Sequence, residues 1–310
     1  MKNKKLLFIV NPRSGRNKFN DDLLEVTNIF GKKGYEMTVM TTEKSGDATE
    51  FAKRYGADYG MVVCRGGDGT FCETLNGLMT LETRPTVGFI PAGTTNDLAN
   101  TLGLPTKPRQ AAQMIVSENP LPNDLGEMNG RYFTYVASFG ALTKCSYATS
   151  QSLKNKIGRL AYFYEGAKEV KDIKPIPMRI VCDGTVIEDE IIFGAVSNSY
   201  TVGKIIHLDR DMVVLNDGLF EAVFAFNPGN FGNFLKMFTG AMKSEFDEKY
   251  IKILQGKHIE IKTLDGSALP WTLDGEFGGN HSEVVIDVHE KAFKMYRPPL
   301  KHEMLDPVIK

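Results

Sequence analysis

Cys64-Arg65-Gly66-Gly67-Asp68-Gly69-Thr70 follows the apolar run Tyr59 to Val63 and precedes a segment in which Phe71, Leu75 and Leu78 recur at helical spacing. That order reads as a buried strand, a tight turn and a helix. Glycine lets the main chain take positive φ and lets backbone N–H groups approach a ligand with no Cβ in the way. A glycine turn that opens a helix presents free N–H groups and the positive end of the helix dipole, which suits phosphate. Asp68 is the odd member, because a carboxylate repels phosphate. It fits a group that holds a metal, positions a hydroxyl or accepts a proton. Taken alone, the stretch is equally well a β-turn with a local hydrogen-bonding Asp.

The neighbouring segments repeat the pattern. Upstream, the strand Leu6 to Val10 leads into Asn11-Pro12-Arg13-Ser14-Gly15-Arg16, a loop with two cations at a strand's C-terminal end. Leu23, Val26 and Phe30 then recur at helical spacing, Glu36 to Thr41 alternates as a strand, and Thr42 leads to Ser45-Gly46-Asp47-Ala48. Ser45 or Asp47 is placed to cap the helix carrying Ala48, Phe51, Ala52 and Tyr55. Downstream, the strand Val87 to Ile90 ends in Pro91-Ala92-Gly93-Thr94-Thr95-Asn96-Asp97, with Asn96 or Asp97 as the next cap. Several ligand-type loops at successive strand ends predict a parallel α/β sheet around a nucleotide.

Composition sets the outer bounds. The chain has 310 residues, 42% hydrophobic and 24% charged, with a net charge of −1, so the total charge does not favour nucleic acid. No apolar run approaches the roughly 20 residues of a membrane span, and the N-terminal residues lack the pattern of a signal peptide. Cys64, Cys72, Cys145 and Cys182 lack metal-ligand spacing and read as free thiols. The expectation is a cytoplasmic protein.

From about Asp124 the strand–helix rhythm gives way to short alternating segments: Arg131 to Ala137, Met178 to Cys182, Val186 to Ser197, Phe220 to Ala225, His258 to Lys262 and Val284 to Val288. Asp183-Gly184 and Asp217-Gly218 supply turns, and two helical stretches interrupt, Ile157 to Val170 and Phe231 to Phe246. The predicted organisation is an α/β domain over residues 1–125 and a mainly antiparallel β-sandwich domain over 126–296. Pro120-Leu121-Pro122 marks the boundary, and the tail 297–310 is read as packing back on the first domain.

Together these residues resemble the diacylglycerol kinase catalytic family, specifically the soluble bacterial lipid kinases. The matching positions are Asn11-Pro12-x-Ser14-Gly15, Thr42 with Gly46-Asp47-Ala48, Gly66 to Thr70, Glu73, Asn76-Gly77 and Pro91-x-Gly93-Thr94-x-Asn96-Asp97. The second half adds Lys156-x-Gly158-Arg159-Leu160-Ala161-Tyr162, Asn216-Asp217-Gly218 and Leu273-Asp274-Gly275-Glu276. The resemblance runs nearly the whole length, and it implies ATP- and Mg²⁺-dependent transfer of the γ-phosphoryl group to a lipid hydroxyl. Diacylglycerol is the first substrate to expect, giving phosphatidic acid. Sphingoid bases, phosphatidylglycerol and polyprenols carry the same reactive group.

Carried over by position, Asn11, Pro12, Ser14, Gly15, Thr42, Gly66, Gly67, Asp68, Gly69, Thr70, Gly93, Thr94, Asn96 and Asp97 would line the nucleotide. Glu276 looks like the catalytic carboxylate, with Asp68 and Asp274 close to it. The residues alone leave the proton acceptor open between Asp68 and Glu276; the preferred assignment is Glu276 as base and Asp68 as organiser of nucleotide-bound Mg²⁺. The Asp217 turn resembles a second Mg²⁺ site, with the carbonyls of Val214 and Leu219 as partners. By local chemistry alone, both Asp-Gly stretches are also ordinary turns.

Arg65, Cys72, Leu98 and Asn100 depart from the family's usual residues, though none removes a carboxylate or a loop glycine. An NAD kinase shares the Gly-Gly-Asp-Gly turn, but would carry an Asn-Glu pair in the loop that here reads Gly93 to Asp97. A catalytically silent nucleotide-binding regulator is the third reading, and the intact Asp68, Asp274 and Glu276 argue against it. A lipid substrate implies transient, peripheral contact with a membrane, for which Phe231, Phe234, Leu235 and Phe238, near Lys236 and Lys243, are the candidate face. Such a stripe is more often a core-facing one. A homodimer is left open.

Overall fold

A computed structural model describes residues 4–15, 19–94, 96–140, 174–202, 206–209 and 212–300. The chain divides into two compact units, Met1–Leu125 with Glu290–Lys310, and Gly126–His289. The return to the first unit thus begins at Glu290 rather than at Arg297.

In the first unit, β1 (Lys5–Val10), β2 (Glu36–Thr41), β3 (Met61–Gly66) and β4 (Thr86–Pro91) are all parallel, in the order β2-β1-β3-β4. Their connections are α1 (Phe19–Lys32), α2 (Asp47–Tyr55) and α3 (Asp68–Leu78); α4 (Asp97–Thr101) and α5 (Pro108–Ser117) follow β4. Buried Val26 and Phe30 and half-buried Leu23 join Leu6, Phe8, Val10, Val63, Ile90 and Ile115 in one core, as their helical spacing implies. β3 is buried at every position, which explains its continuous apolar run. It begins two residues later than the sequence suggests and runs on through Cys64-Arg65-Gly66.

The strand order reverses between β1 and β3. β1 leads to β2 on one side and β3 leads to β4 on the other, which opens a crevice at the carboxyl ends of β1 and β3. Open α/β sheets bind ligands at such switch points.

Pro120-Leu121-Pro122 opens β5 (Pro120–Met128), and the division between the units falls within that strand, after Leu125. Here Asn123 Oδ1 accepts from Arg297 Nε at 2.7 Å and Asp124 Oδ1 accepts from Lys291 N at 2.6 Å. These long-range anchors, absent from any local pattern, hold a proline-rich segment in strand geometry. Residues Arg297 to Leu300 belong to the first unit; 301–310 lie outside the described residues.

The second unit is an antiparallel β-sandwich, and with the first unit it bears out the expected fold class. The stretch expected over Arg131 to Ala137 is two strands, β6 (Arg131–Phe133) and β7 (Val136–Gly140). β8 (Ile176–Cys182) pairs with the first half of β9 (Thr185–Ser197), whose second half pairs with β7 on one side and with β12 (Phe220–Phe226) on the other. A long strand thereby passes from one set of partners to another, a usual way to turn a sandwich corner. β10 (Thr201–Val202) and β11 (Ile206–His207) form a short pair. β13 (Ile251–Gly256) adds to β12, β14 (His258–Thr263) lies between β8 and β17 (Glu283–Tyr296), and β15 (Leu269–Leu273) and β16 (Glu276–His281) form a hairpin beside β7. Trp271, Phe133, Phe139, Phe220 and Phe224 fill the core. The second helical stretch is α6 (Phe231–Ala241), shorter than expected and capped by Asn230 Oδ1, which accepts from Asn233 N. The helix expected over Ile157 to Val170 and the Lys156 to Tyr162 motif lie outside the described residues.

Candidate active site

Asn11 ties the switch point together. Its main-chain N–H donates to Arg65 O at 2.8 Å, its side-chain Nδ2 donates to Thr70 Oγ1 at 3.1 Å, and its Oδ1 accepts from Arg13 N at 3.0 Å. The end of β1 is thus joined to both sides of the glycine turn. Pro12 is exposed, Ser14 is half-buried, and Gly15 has φ +95°, where a Cβ would stand 3.2 Å from Ala92 O. Thr42, buried after β2, donates its N–H to Val10 O at 2.9 Å. Arg16 lies outside the described residues.

The glycines of the central turn serve close approach, not positive φ. Gly66, Gly67, Gly69 and Gly93 all avoid the left-handed region. A Cβ on Gly66 would lie 2.6 Å from the Thr70 side chain, and one on Gly93 would lie 2.9 Å from Gly67 Cα and 2.8 Å from Asn96 Oδ1. The β3 and β4 loops therefore meet backbone to backbone. Ala92 N donates to Gly66 O at 2.7 Å in the same place. Side chains at these positions would push the loops apart.

Asp68 opens α3 and is buried, and its Oδ2 accepts the Asp97 main-chain N–H at 2.9 Å. It therefore positions the second loop. Asn96 takes a left-handed conformation, φ 48°, at the N-cap of α4 without a side-chain cap bond, and its buried Oδ1 lacks a hydrogen-bond partner among the described residues. Thr94 is exposed, and Leu98 turns into the core.

Neither Ser45 nor Asp47 caps α2. Gly46, φ +89°, holds the N-cap position, and Asp47 Oδ2 instead accepts from Glu43 N and Lys44 N at 2.8 and 2.9 Å. Ser45 Oγ and Gly46 N both donate to Glu73 Oε1, at 2.8 and 2.9 Å, and Thr49 Oγ1 donates to Glu73 O at 2.9 Å. Glu73, whose role the sequence left open, clamps this loop to α3. Gly77 lets α3 pack on α2: a Cβ there would collide with Thr49 O and stand 2.8 Å from Ala52 Cβ.

Asp274 and Glu276 belong to the second unit. Asp274 (φ 49°) and Gly275 (φ 84°) form a two-residue turn with both φ positive, and Leu273 pairs with Glu276 across it. The hairpin reading of this stretch holds, and the carboxylates sit on the hairpin. Asp274 is buried and accepts four hydrogen bonds: Thr134 N (2.6 Å) and Thr134 Oγ1 (2.7 Å) on Oδ2, Tyr135 N (2.9 Å) and Val136 N (3.0 Å) on Oδ1. Burial raises its carboxyl above the ordinary value, and these donors pull the other way. With both oxygens engaged twice, Asp274 anchors the turn. Glu276, next but one, is exposed.

In the stretch Met212 to Leu219, Gly218 has φ +79° and Asp217 Oδ1 accepts from Leu219 N at 2.9 Å. Val214, Asp217 and Leu219 are half-buried. Glu221, two residues on, escaped the sequence reading. It is 1% exposed, its Oε2 has no hydrogen-bond partner among the described residues, and burial, with the charge of Asp217 added, pushes its carboxyl up to about 8. A buried carboxylate in surplus beside Asp217 is what a cation would balance, so the donor set fits a hard divalent ion.

The stripe on α6 is split. Phe234 and Met237 are buried and Phe238 is half-buried against Phe234, leaving Phe231 and Leu235 exposed. Among the described residues no helix is long and apolar enough to cross a membrane.

Comparison with known proteins places this architecture. Residues 5–128 match the model of the diacylglycerol kinase catalytic domain, and residues 136–296 match that of the YegS C-terminal NAD kinase beta sandwich-like domain. The class is that of kinases which join an α/β catalytic unit to an NAD-kinase-like sandwich. The chain belongs to the diacylglycerol kinase catalytic-domain family and is a lipid kinase by that membership. It is 33% identical to diacylglycerol kinase of Bacillus subtilis (strain 168) over 306 residues, 98% of this chain and 99% of the relative. It is 34% identical to diacylglycerol kinase of Staphylococcus carnosus (strain TM300) over 277 residues, 89% of this chain and 90% of that one. The crystal structure of a diacylglycerol kinase from Bacillus anthracis strain Sterne matches at TM-score 0.76 and 25% identity, covering 96% of this chain and 98% of that one. Another structure from the same organism reaches 0.81 at 28% identity, covering 96% and 97%.

Proposed function

We propose that this protein transfers the γ-phosphoryl group of ATP to the free hydroxyl of diacylglycerol, forming phosphatidic acid. The observation that carries the reading is the contact between Gly67 and Gly93 at the switch point. Two strand-end loops meet there by their backbones, beside the buried Asp68, and their main-chain N–H groups suit phosphate oxygens. Asn11, Pro12, Ser14, Gly15 and Thr42, with Gly66 to Thr70 and Gly93, Thr94, Asn96 and Asp97, bind and orient the nucleotide in this reading. ATP with Mg²⁺ supplies the phosphoryl group and neutralises charge as it is transferred.

Glu276 takes the proton of the lipid hydroxyl as its oxygen bonds to the γ-phosphorus and the bond from that phosphorus to ADP breaks, ADP leaving. Asp68, which accepts from Asp97 N, would hold the nucleotide's metal. Asp274 acts through Glu276 by fixing the hairpin. Val214, Asp217 and Leu219 would hold a second, structural Mg²⁺. The substrate lies in a bilayer, so the protein works transiently at a membrane surface from the cytoplasm. Phe231 and Leu235, beside Lys236 and Lys243, provide the apolar and cationic contacts.

The test is transfer from labelled ATP and Mg²⁺ to diacylglycerol, a sphingoid base, phosphatidylglycerol, a polyprenol and NAD, side by side. Label on diacylglycerol is expected. Label on another lipid keeps the chemistry and replaces the substrate. Label on NAD alone, or on nothing, overturns the proposal.

A further inference from the structure

β12 carries a carboxylate into the interior of the second unit. Glu221 Oε1 accepts from Gln255 Nε2 at 3.1 Å, and the same nitrogen donates to Met212 O at 2.9 Å. One amide therefore ties the Glu221 carboxylate to the start of the Met212–Leu219 stretch. On the other side Glu221 is the register partner of Ser197 in β9, and register partners share a face of the sheet. Ser197 is fully buried, and its Oγ, like Glu221 Oε2, lacks a hydrogen-bond partner among the described residues. Burying a carboxylate with an unused acceptor costs several kcal/mol unless a cation or donor compensates it. No described salt bridge involves Glu221, and Asp217, four residues earlier, adds charge of the same sign. Such an arrangement is stable when something positive is shared between the two.

We propose that Glu221 is the second carboxylate of the Asp217 cation site, accepting through Oε2 from a water of the bound Mg²⁺ while Asp217 and the carbonyls of Val214 and Leu219 meet the ion itself. This rests on the reading of the Asp217 stretch as a Mg²⁺ site given above. Mg²⁺ dehydrates reluctantly and keeps several waters, so a buried outer carboxylate suits it. Ser197 Oγ, on the same face, is placed to accept or donate within that water layer. Glu221 thus adds charge to the site without occupying a coordination position.

The experiment is thermal melting of the chelator-treated protein, without nucleotide or lipid, across a Mg²⁺ titration. Wild type should melt higher as Mg²⁺ is added. Glu221→Gln should raise the half-saturating Mg²⁺ concentration at least about tenfold, as loss of an outer-shell partner does. In chelator it should melt at or above wild type, because the amide is neutral at any pH, whereas the buried wild-type carboxyl must either keep a proton or carry a charge with no cation beside it. Glu221→Asp, which keeps the charge, should recover part of the Mg²⁺ response, and Asp217→Asn should abolish it. A Glu221→Gln protein that titrates like wild type, or a folded Glu221→Asp protein that responds no better than Glu221→Gln, overturns the proposal. So does a wild type that melts alike with and without Mg²⁺. Because no ATP or lipid is present, that last outcome removes the cation site while leaving lipid phosphorylation to be judged on its own assay.

Discussion

Two neighbouring carboxylates, Asp274 and Glu276, differ in what surrounds them, and that difference divides their work. Asp274 has every acceptor position filled by Thr134, Tyr135 and Val136, whereas Glu276 is exposed on the return strand. Asp274→Ala leaves three backbone N–H groups and a hydroxyl buried without an acceptor, and should destabilise the protein by at least about 3 kcal/mol in urea unfolding. A loss under about 1 kcal/mol would contradict the anchoring role. The motif Asp274-Gly275-Glu276 was legible in the sequence as a pair of acids on a turn. Which acid is structural was not, because the donors that decide it come from residues some 140 positions earlier. The same holds for Glu73 and Glu221. One clamps a loop 28 residues away, and the other is buried by strands on both sides. Neither relation leaves a local pattern.

Elements with a single dominant period could be read closely. Glu36–Thr41 is β2 as expected, and β1, β4 and β12 extend the expected spans by a residue or two. The hairpin strands β15 and β16 went unread because Pro270, Gly278 and Gly279 interrupt any alternation, and β5 because prolines open it. In β14 and β17, His258 and Asp287 are register partners, with His258 Nδ1 2.6 Å from Asp287 Oδ1 and Nε2 3.2 Å from Glu260 Oε1. The bond to Asp287 and then that to Glu260 raise the imidazole pKa. A raised folded value stabilises fully below the unfolded pKa of about 6.5 and is lost as pH climbs through the folded one. Compared with His258→Gln, wild type should be more resistant to urea near about pH 5.5, and the gap should close by about pH 9. A gap that is unchanged or larger at the higher pH contradicts this pairing. On α6, helical spacing flagged the right residues but could not tell the core side from the exposed one. Phe231→Ser with Leu235→Ser should weaken binding to anionic vesicles at least about tenfold, since each side chain is worth about 2 kcal/mol when buried. Fold stability should barely change, and unaltered vesicle binding would remove α6 from the membrane contact.

At the scale of the whole molecule, the order of strands does what no single motif does. The sequence β2-β1-β3-β4 places the Asn11 loop and the Gly66–Asp68 turn at one crevice, and the glycines of the β3 and β4 loops let them close on each other. Strand ends rich in glycine, hydroxyl and amide groups were visible in sequence. Their mutual contact required the fold. The central claim is that these loops hold ATP while Glu276 deprotonates a lipid alcohol. It is tested most directly by comparing wild type with Glu276→Gln for ATP binding and for transfer of labelled phosphate to diacylglycerol. Wild type should label the lipid. Glu276→Gln should bind ATP with the same affinity and transfer roughly 10²- to 10⁴-fold more slowly, the range for loss of a general base. Equal transfer by the two proteins would contradict the claim.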